Sequence, residues 1–417
     1  MKNKTEADDV KVASERKILK RILLVAAKCL GVLFLIAFML IVVTSVTPIY
    51  DFQSPKPFSG RDIFNPYSRL DTAHCWKRTC FHVHTRVRGI FNECEYWPDE
   101  VYRRFEKFDY DIVTFSNHNE ITTHPFDTAL QVNVYEHGYN IFKYHKLVFG
   151  SPSVNYFDHL LPFLASQKQF QLDLLGKESD IIQMNHPLRT NGFLTSQFDK
   201  LEGYRLMELD SGRSTENAYW DSALSAGHYC FGLAGDDLHK PDKTSRIAVR
   251  CNFLCTPSAT YKDILQTLRE GTFYAMRVPD YGRGDWDVKY EMNKKLPSIR
   301  NIGLQDSTVF IALSVPADSI KFTGEHHTTL AMAIDSDSAS YQMRQCDPYV
   351  RITAYFPQGE VIYSNPFARY DASMSESPFA EPTHSVNWTF TILFNLILFL
   401  LLIGSLRVLY IIFQRKC

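Results

Sequence analysis

Two long apolar stretches stand out from the pattern of hydrophobic and polar positions along the chain. Residues 22–46 read ILLVAAKCLGVLFLIAFMLIVVTSV, and Lys28 is their only charge. Residues 389–413 read TFTILFNLILFLLLIGSLRVLYIIF, where Arg407 lies close enough to the end to reach the interface. Each stretch is long enough to cross a hydrocarbon core of ~30 Å. The pattern therefore predicts two transmembrane helices.

Basic residues flank these spans on their terminal sides. Residues 1–28 carry eight Lys and Arg, whereas residues 47–62 carry only Lys56 and Arg61. Because positive charge is retained on the cytoplasmic side, we expect both termini to be cytoplasmic, as a basic tail at 1–21 and a short tail at 414–417. A cleaved signal peptide would need a shorter apolar region and a small-residue cleavage site. The expected location is a bacterial inner membrane, with the region between the spans in the periplasm.

Between the two predicted spans, the pattern of hydrophobic and polar residues divides the sequence into several regions. Residues 51–77 contain Pro and Gly and read as an irregular lead-in. Residues 78–280 alternate β-type runs, such as DIVTF, KLVFG and DIIQM, with helical runs such as EVYRRFEKF, which favours a parallel β/α domain. Residues 285–370 contain short β-rich runs without a helical period, which predicts a small antiparallel β module. Residues 371–388, rich in Ser and Pro, are expected to tether it to the second span.

Composition narrows the functional class. The chain has 45 Lys and Arg against 46 Asp and Glu, so we expect no nucleic-acid partner. A hydrophobic share of 45% is enough for a sizeable core. Two cysteine pairs, Cys75 with Cys80 and Cys251 with Cys255, are close enough in sequence to bridge, and we favour disulfides or buried thiols over a cysteine metal site.

Histidines and acids recur at the ends of the apolar runs. His82 and His84 are two residues apart, so on a strand both imidazoles point to one face and can reach one metal ion. Imidazole and carboxylate together suit zinc, manganese or iron, and a carboxylate can bridge two ions. The further candidates that follow or close apolar runs are His118, Glu136, His145, His186, Asp237 and His239.

Taken in order, these residues resemble a known family. HVHT, SNHN, a Glu, a His before a strand, NHP and DDLH follow the motif order of the PHP (polymerase and histidinol phosphatase) metal-dependent phosphoesterases. The resemblance covers roughly residues 78–275 and implies a distorted (β/α)7 barrel with two or three divalent ions. By analogy, one ion is held by His82, His84, Glu136 and Asp237, a second by Glu136, His145 and His186, and a third by His118 and His239.

Two positions depart from the family pattern. The family has an Asp or His shortly after HxH that binds the third ion, and here only Glu93 and Glu95 are available as tentative ligands. Asn117 stands where the family has an Asp. Three basic residues near the motifs, Arg86, Arg88 and Arg189, are either phosphate ligands or solvated surface residues, with Arg189 favoured because it follows His186 closely.

The leading hypothesis is a membrane-anchored metal-dependent phosphoesterase that uses a metal-activated water and no single protein nucleophile. Its expected partners are the lipid bilayer and a phosphorylated lipid, a lipid head group or an envelope glycan as substrate. The alternative is a catalytically inactive metal-binding scaffold or binding protein of the envelope. A transporter is disfavoured because the two spans lack paired intramembrane charges.

Overall fold

The computed structural model describes residues 2–71, 76–89, 92–187, 194–210 and 217–414. The chain divides into two compact units. A helical unit comprises Met1–Tyr50, His159–Gln167 and Val386–Cys417, and a larger mixed α/β unit comprises Asp51–Asp158 and Lys168–Ser385.

Seven α-helices and eighteen strands occupy the described part of the chain. The helices are α1 Lys2–Thr44, α2 Pro98–Glu106, α3 Ala165–Gly176, α4 Ala218–Ser225, α5 Tyr261–Glu270, α6 Trp286–Asn293 and α7 Trp388–Gln414. The strands are β1 Tyr50–Asp51, β2 Asp62–Phe64, β3 Lys77–Cys80, β4 Ile112–Val113, β5 Val134–His137, β6 Lys146–Phe149, β7 Ile181–Met184, β8 Leu206–Leu209, β9 Phe231–Ala234, β10 Arg250–Leu254, β11 Phe273–Arg277, β12 Ile299–Gln305, β13 Thr308–Gly324, β14 Thr328–Gln342, β15 Tyr349–Tyr355, β16 Val361–Ser364, β17 Phe367–Tyr370 and β18 Ser385–Val386.

In the helical unit, the two apolar stretches are helices of membrane-spanning length. The segments Arg16–Thr44 and Trp388–Gln414 have mean hydropathies of 2.7 and 2.6 and are long enough to cross a bilayer. The polar Asn395 of α7 has a structural explanation, because its Nδ2 donates to the Thr47 carbonyl oxygen at 2.9 Å and its Oδ1 accepts from the Thr47 amide at 3.3 Å. The amide of Asn395 therefore binds the backbone just after α1.

The mixed α/β unit contains a five-stranded sheet in the order β5-β6-β7-β8-β9. Strands β7, β8 and β9 are parallel, whereas β5, β6 and β7 pair in antiparallel fashion. All residues of these five strands are buried, including the polar Glu136 and Glu208.

A second sheet of eleven strands follows the path β12-β13-β15-β16-β11-β10-β3-β4, with β14 on β13, β17 on β15 and β2 on β17. Its neighbours are antiparallel except for β3 and β4. The β-rich segment from 299 to 370 thus shares one sheet with the strand that precedes the HxH motif.

The strands do not close into one continuous barrel in the described part of the chain. Two isolated parallel bridges, Val83 with Leu238 and His118 with Glu136, join the ends of the two sheets. The sequence predicted a series of parallel strands, but β5 and β6 are antiparallel. Only eight residues, 138–145, connect these two strands. A parallel connection needs a crossover of roughly a dozen residues or more.

Of the two possibilities, disulfides or free thiols, the structure shows free thiols at Cys251 and Cys255, and Cys80 is also free. Cys251 lies within β10 and Cys255 follows its last residue. Four residues of extended chain span roughly 13 Å, which is about twice the Cα separation that a disulfide tolerates. Cys75 lies outside the described residues.

A buried ion pair connects α4 to β15. Arg351 donates from Nε to Asp221 Oδ1 at 2.8 Å and from Nη2 to Oδ2 at 2.5 Å, and both side chains are 1% exposed. The Tyr349 hydroxyl donates to the same carboxylate at 3.0 Å. Burial alone would raise the pKa of Asp221, but Arg351 holds it below its ordinary value. Removing Arg351 would leave the buried Asp221 carboxylate without its guanidinium partner, with only the Tyr349 hydroxyl and a contact to His327.

We therefore expect Arg351→Met to destabilise the protein by about 3–5 kcal/mol, the usual cost of leaving a buried charge without its partner. The matched control is Arg300→Met, because Arg300 pairs with Asp337 at 3.0 Å while both side chains are about half exposed. Such surface pairs contribute about 0–1 kcal/mol. The measurement is the thermal unfolding midpoint of the full chain in one detergent. Equal midpoints for the two variants would show that the buried pair is not important for stability.

Candidate metal centre

The HxH segment continues directly from β3. That strand ends at Cys80, and the bridge between Val83 and Leu238 keeps the following chain extended. Residues two apart on an extended chain point the same way. His82 and His84 are 0% and 1% exposed, and their ring centroids are 5.3 Å apart. Both imidazoles therefore lie buried side by side.

Glu136, on β5, lies at the centre of the site. Its Oε2 atom is 3.2 Å from Nε2 of His82 and 3.1 Å from Nε2 of His84. The Oδ1 atom of Asp237 lies 3.4 and 3.2 Å from the same two nitrogens. The ligand atoms of these four side chains all lie within 4.8 Å of one another, so they could hold one metal ion.

A second group surrounds the other side of the Glu136 carboxylate. Its Oε1 atom is 3.2 Å from Nδ1 of His145 and 3.1 Å from Nε2 of His186. Nε2 of His118 lies 3.1 Å from Oε2. His118, Glu136 and His145 form a second candidate metal group. The backbone bridge between His118 and Glu136 aligns the two segments that carry these residues. The main chain therefore brings the side chains of His118 and Glu136 together.

A third group is built around Glu93. Its Oε2 atom lies 3.1 Å from Nε2 of His118, 3.4 Å from Nε2 of His239 and 3.7 Å from Nδ1 of His84. The side chain of Glu93 is 46% exposed, so this group lies at the open edge of the site. Glu95 belongs to no metal group among the described residues and lines a neighbouring cavity of about 460 Å³.

The donor atoms of the first group fit a divalent ion. Two ligand atoms about 2.1 Å from one tetrahedral ion lie roughly 3.4 Å apart, which is close to the observed separations. Nε2 of His82, Nε2 of His84 and Oε2 of Glu136 are buried and have no hydrogen-bond partner within the described ranges. Because unpaired buried polar atoms are costly, three such atoms at one point indicate that a ligand belongs there. Imidazole and carboxylate are donors that suit zinc, manganese and iron.

The histidines of the site differ in their pKa values. Burial alone would lower the pKa of His82, but Glu136 and Glu208 raise it to about 10. Burial lowers the pKa of His84 to about 3 and that of His145 to about 4, despite their contacts with Glu136. Burial would raise the pKa of Glu136, but the surrounding imidazoles hold it well below its ordinary value. His84 and His145 are therefore neutral near pH 7, which is the form that binds metal.

Two side chains outside the candidate ligands hold them in position. Glu208, on β8, accepts from Nδ1 of His82 at 2.8 Å and from the backbone amide of His186 at 2.6 Å. Asn185 donates from Nδ2 to Oε1 of Glu136 at 2.8 Å. A carboxylate on Nδ1 orients the His82 ring so that Nε2 faces Glu136 and Asp237.

Asn117, which stands where the PHP pattern has an Asp, is hydrogen bonded through both atoms of its side-chain amide. Its Oδ1 accepts from the Thr85 amide at 2.7 Å, and its Nδ2 donates to the hydroxyls of Thr85 and Thr122, each at 2.7 Å. Its carbonyl oxygen accepts from the Glu136 amide at 3.1 Å. The side chain therefore connects the HxHT segment to the chain beyond β4 without adding charge.

The three candidate phosphate-binding arginines differ in position. Arg86 stacks over Trp97 at 5.1 Å and lines the 460 Å³ cavity, to which Glu93 and His239 also contribute. Arg88 is exposed. Arg189 lies outside the described residues. Arg86 is thus the one arginine of the three for which the structure gives a position beside the candidate ligands.

Two residues of the site had no assigned role in the sequence interpretation. Glu208 lies within the apolar run LMEL of β8, and a carboxylate inside a fully buried strand is a signal that it has a charged or metal-bound partner. Asn185 directly precedes His186, but nothing in the sequence shows which carboxylate its amide would meet.

We expect Glu208→Gln to weaken metal binding by roughly 10–100-fold, the usual effect of losing a carboxylate that supports a ligating histidine. The amide can still accept one hydrogen bond, but it presents a donor where the carboxylate accepts a second from His82 or His186. Glu178→Gln, at an exposed position, controls for the loss of a charge. Competition with a chromophoric chelator measures both affinities. An unchanged affinity in Glu208→Gln would mean that Glu208 does not support the site.

Comparisons with known proteins give one distant likeness. No protein-family model and no curated protein match the chain. Among solved structures, the chain is similar to the crystal structure of a two-domain protein containing a predicted PHP-like metal-dependent phosphoesterase from Bacteroides vulgatus. The two share 17% sequence identity, the match covers 74% of this chain and 92% of that chain, and the TM-score is 0.34.

Proposed function

We propose that the chain is a membrane-anchored, metal-dependent phosphoesterase. The observation that carries the proposal is the convergence of five imidazoles on the single buried carboxylate of Glu136, with Asp237 and Glu93 beside it. Divalent ions in such a site supply a water of lowered pKa and neutralise charge on a phosphoryl group. Zinc, manganese or iron suits these donors.

We assign the ligands in three groups that share Glu136 and the neighbouring histidines. His82, His84, Glu136 and Asp237 would hold one ion, and Glu136 would bridge to a second, held with His118, His145 and His186. Glu93 would complete a third site with His239 and His84 or His118, in the role that the family gives to an Asp or His after HxH. Glu208 and Asn185 would position the ligands, and Arg86 would bind the substrate phosphate from the adjoining cavity.

The proposed architecture is a distorted seven-stranded barrel. Strands β3 to β9 would follow one another around it, and the single bridges at His118 and Val83 would replace the ladders that a regular barrel has. Such an arrangement would place the candidate ligands at the strand ends, where β/α enzymes carry their active sites.

We also propose that α1 and α7 anchor this unit in a bacterial inner membrane. Their basic terminal flanks support cytoplasmic ends and a periplasmic site. Anchoring would raise the effective concentration of the site toward phosphoesters at the membrane surface. A phosphorylated lipid, a lipid head group or an envelope glycan is therefore the proposed substrate class.

The proposal predicts phosphate release by the purified full chain with Mn²⁺ or Zn²⁺ over a panel of phosphoesters. Because His82 and His84 supply two donors to one ion, His82→Ala with His84→Ala should abolish this activity. His326→Ala is the matched control, since the His326 side chain is 79% exposed and outside the site. Equal activity in the double variant and the parent would rule out the assignment. Tight metal binding without turnover on any ester would favour the envelope scaffold instead.

Glu93 and Glu95 offer a matched pair that tests the third site. Both are exposed glutamates two residues apart, but only Glu93 contacts the histidines. Glu93→Gln should therefore lose one metal ion per chain and most of the turnover, whereas Glu95→Gln should behave as the parent. Elemental analysis of the loaded protein gives the stoichiometry. The same metal content in both variants would contradict the role of Glu93.

A further inference from the structure

Three large side chains project into solvent from the loops that follow β5 and β6. Tyr139 is 56% exposed, Ile141 is 71% exposed and Tyr156 is 74% exposed. The first two lie on the loop 138–145 and the third lies on the loop 150–158. We refer to Tyr139, Ile141 and Tyr156 as the rim patch.

The exposure of the rim patch is not a consequence of a loose backbone. The carboxylate of Asp158 accepts from the backbone amides of Tyr139 and Asn140 at 2.7 and 2.9 Å, which joins the two loops. The side chain of Asn140 donates to the carbonyl oxygen of Tyr144 at 3.0 Å and accepts from its amide at 2.8 Å. The loops are therefore ordered in a form that presents apolar groups to the outside.

The rim patch borders the candidate metal centre. The ring of Tyr139 lies 5.3 Å from the ring of His118, and the Tyr139 hydroxyl donates to the His118 carbonyl oxygen at 3.2 Å. His118 contacts both Glu136 and Glu93. Whatever covers the patch therefore lies at the edge of the site that would bind substrate.

The few charges in the loops 138–145 and 150–158 restrict which kind of partner could cover the rim patch. In the loop 138–145, Lys143 is the only residue with a permanent charge, and in 150–158 Asp158 is the only one, with its carboxylate occupied by the backbone. An exposed set of two tyrosines and an isoleucine beside a lysine has the composition of membrane–water interfaces, where tyrosine rings and lysine side chains lie among the lipid head groups. Exposed apolar patches of this kind mark binding surfaces.

The segment 159–167, which follows the second loop of the rim patch, belongs to the helical unit and contacts the end of α1. His159 Nδ1 is hydrogen bonded to the carbonyl oxygen of Thr44, the last residue of α1, and the Tyr50 amide donates to Ser166 Oγ at 3.1 Å. Within that unit the segment 159–167 thus lies at the end of the first candidate span. Its Phe163 side chain is 65% exposed. A bilayer that contains α1 would meet this apolar residue near its boundary.

We infer that the rim patch lies in the head-group layer of the bilayer and presents the metal centre to phosphoesters at the lipid surface. The inference rests on the proposed membrane anchoring, and it narrows the substrate to one carried by the membrane. Side chains inserted at this boundary reach ~5–10 Å into the layer between head groups and acyl chains. The patch is then covered by lipid, which accounts for its exposure in the protein alone.

Depth-dependent quenching of tryptophan fluorescence tests this contact directly. Ile141→Trp and Tyr156→Trp are made in the full chain, which is then incorporated into nanodiscs of phosphatidylcholine brominated near the top of the acyl chain. The emission added by each new tryptophan, relative to the parent, should be shifted to shorter wavelength and quenched by the brominated lipid. Both positions are highly exposed, so either substitution should leave folding intact.

Two internal controls separate the possible failures. Met332→Trp, on β14 at 57% exposure, is an exposed apolar position outside the rim patch, and quenching there as strong as at 141 and 156 would overturn the inference. The native Trp388 at the start of α7 should be quenched if that helix is in the bilayer, as shown by comparison with Trp388→Phe. Quenching of Trp388 without quenching at 141 and 156 would overturn the inference while leaving the anchoring intact. The readout needs neither metal nor turnover, so it does not depend on the phosphoesterase activity.

Discussion

The carboxylate of Glu136 is the contact on which the rest of the site depends. Five imidazoles approach its two oxygens at 3.1 to 3.2 Å, and both oxygens are buried. A single negative charge cannot balance several imidazolium groups in a buried space, which favours the neutral forms of His84 and His145. Together with Asp237 and Glu93, the side chains around Glu136 form groups that could hold metal ions.

The backbone brings this cluster together through a small number of contacts. One bridge joins His118 to Glu136 and another joins Val83 to Leu238, so that residues far apart in sequence meet at the sheet ends. Glu208 accepts from Nδ1 of His82 and also from the His186 amide, which couples two candidate ligands to one buried carboxylate. Because the supporting residues are themselves buried and hydrogen bonded, they fix the positions of the candidate donor atoms.

The eleven-stranded sheet includes β3, the strand that leads into the candidate metal centre. The strands from 299 to 370 share a sheet with β3, the strand that leads into HxH, and the ion pair of Arg351 with Asp221 joins β15 to α4. The β-rich segment that the sequence predicted is therefore joined through this sheet to the strand that leads into the HxH segment.

The sequence alone determined the two apolar spans, the alternation of strands and helices, and the identity of the candidate ligands, because each of these depends on local composition or on spacing of a few residues. Hydropathy over 25 residues and an HxH pair on a strand need no tertiary information. Only the tertiary structure decided that Glu93 and not Glu95 reaches the histidines, that Glu208 supports His82, that β5 and β6 are antiparallel, and that Cys251 and Cys255 stay apart. These outcomes depend on which distant segments meet and in what direction, and that is set by the packing of both sheets together and not by any short stretch of the chain.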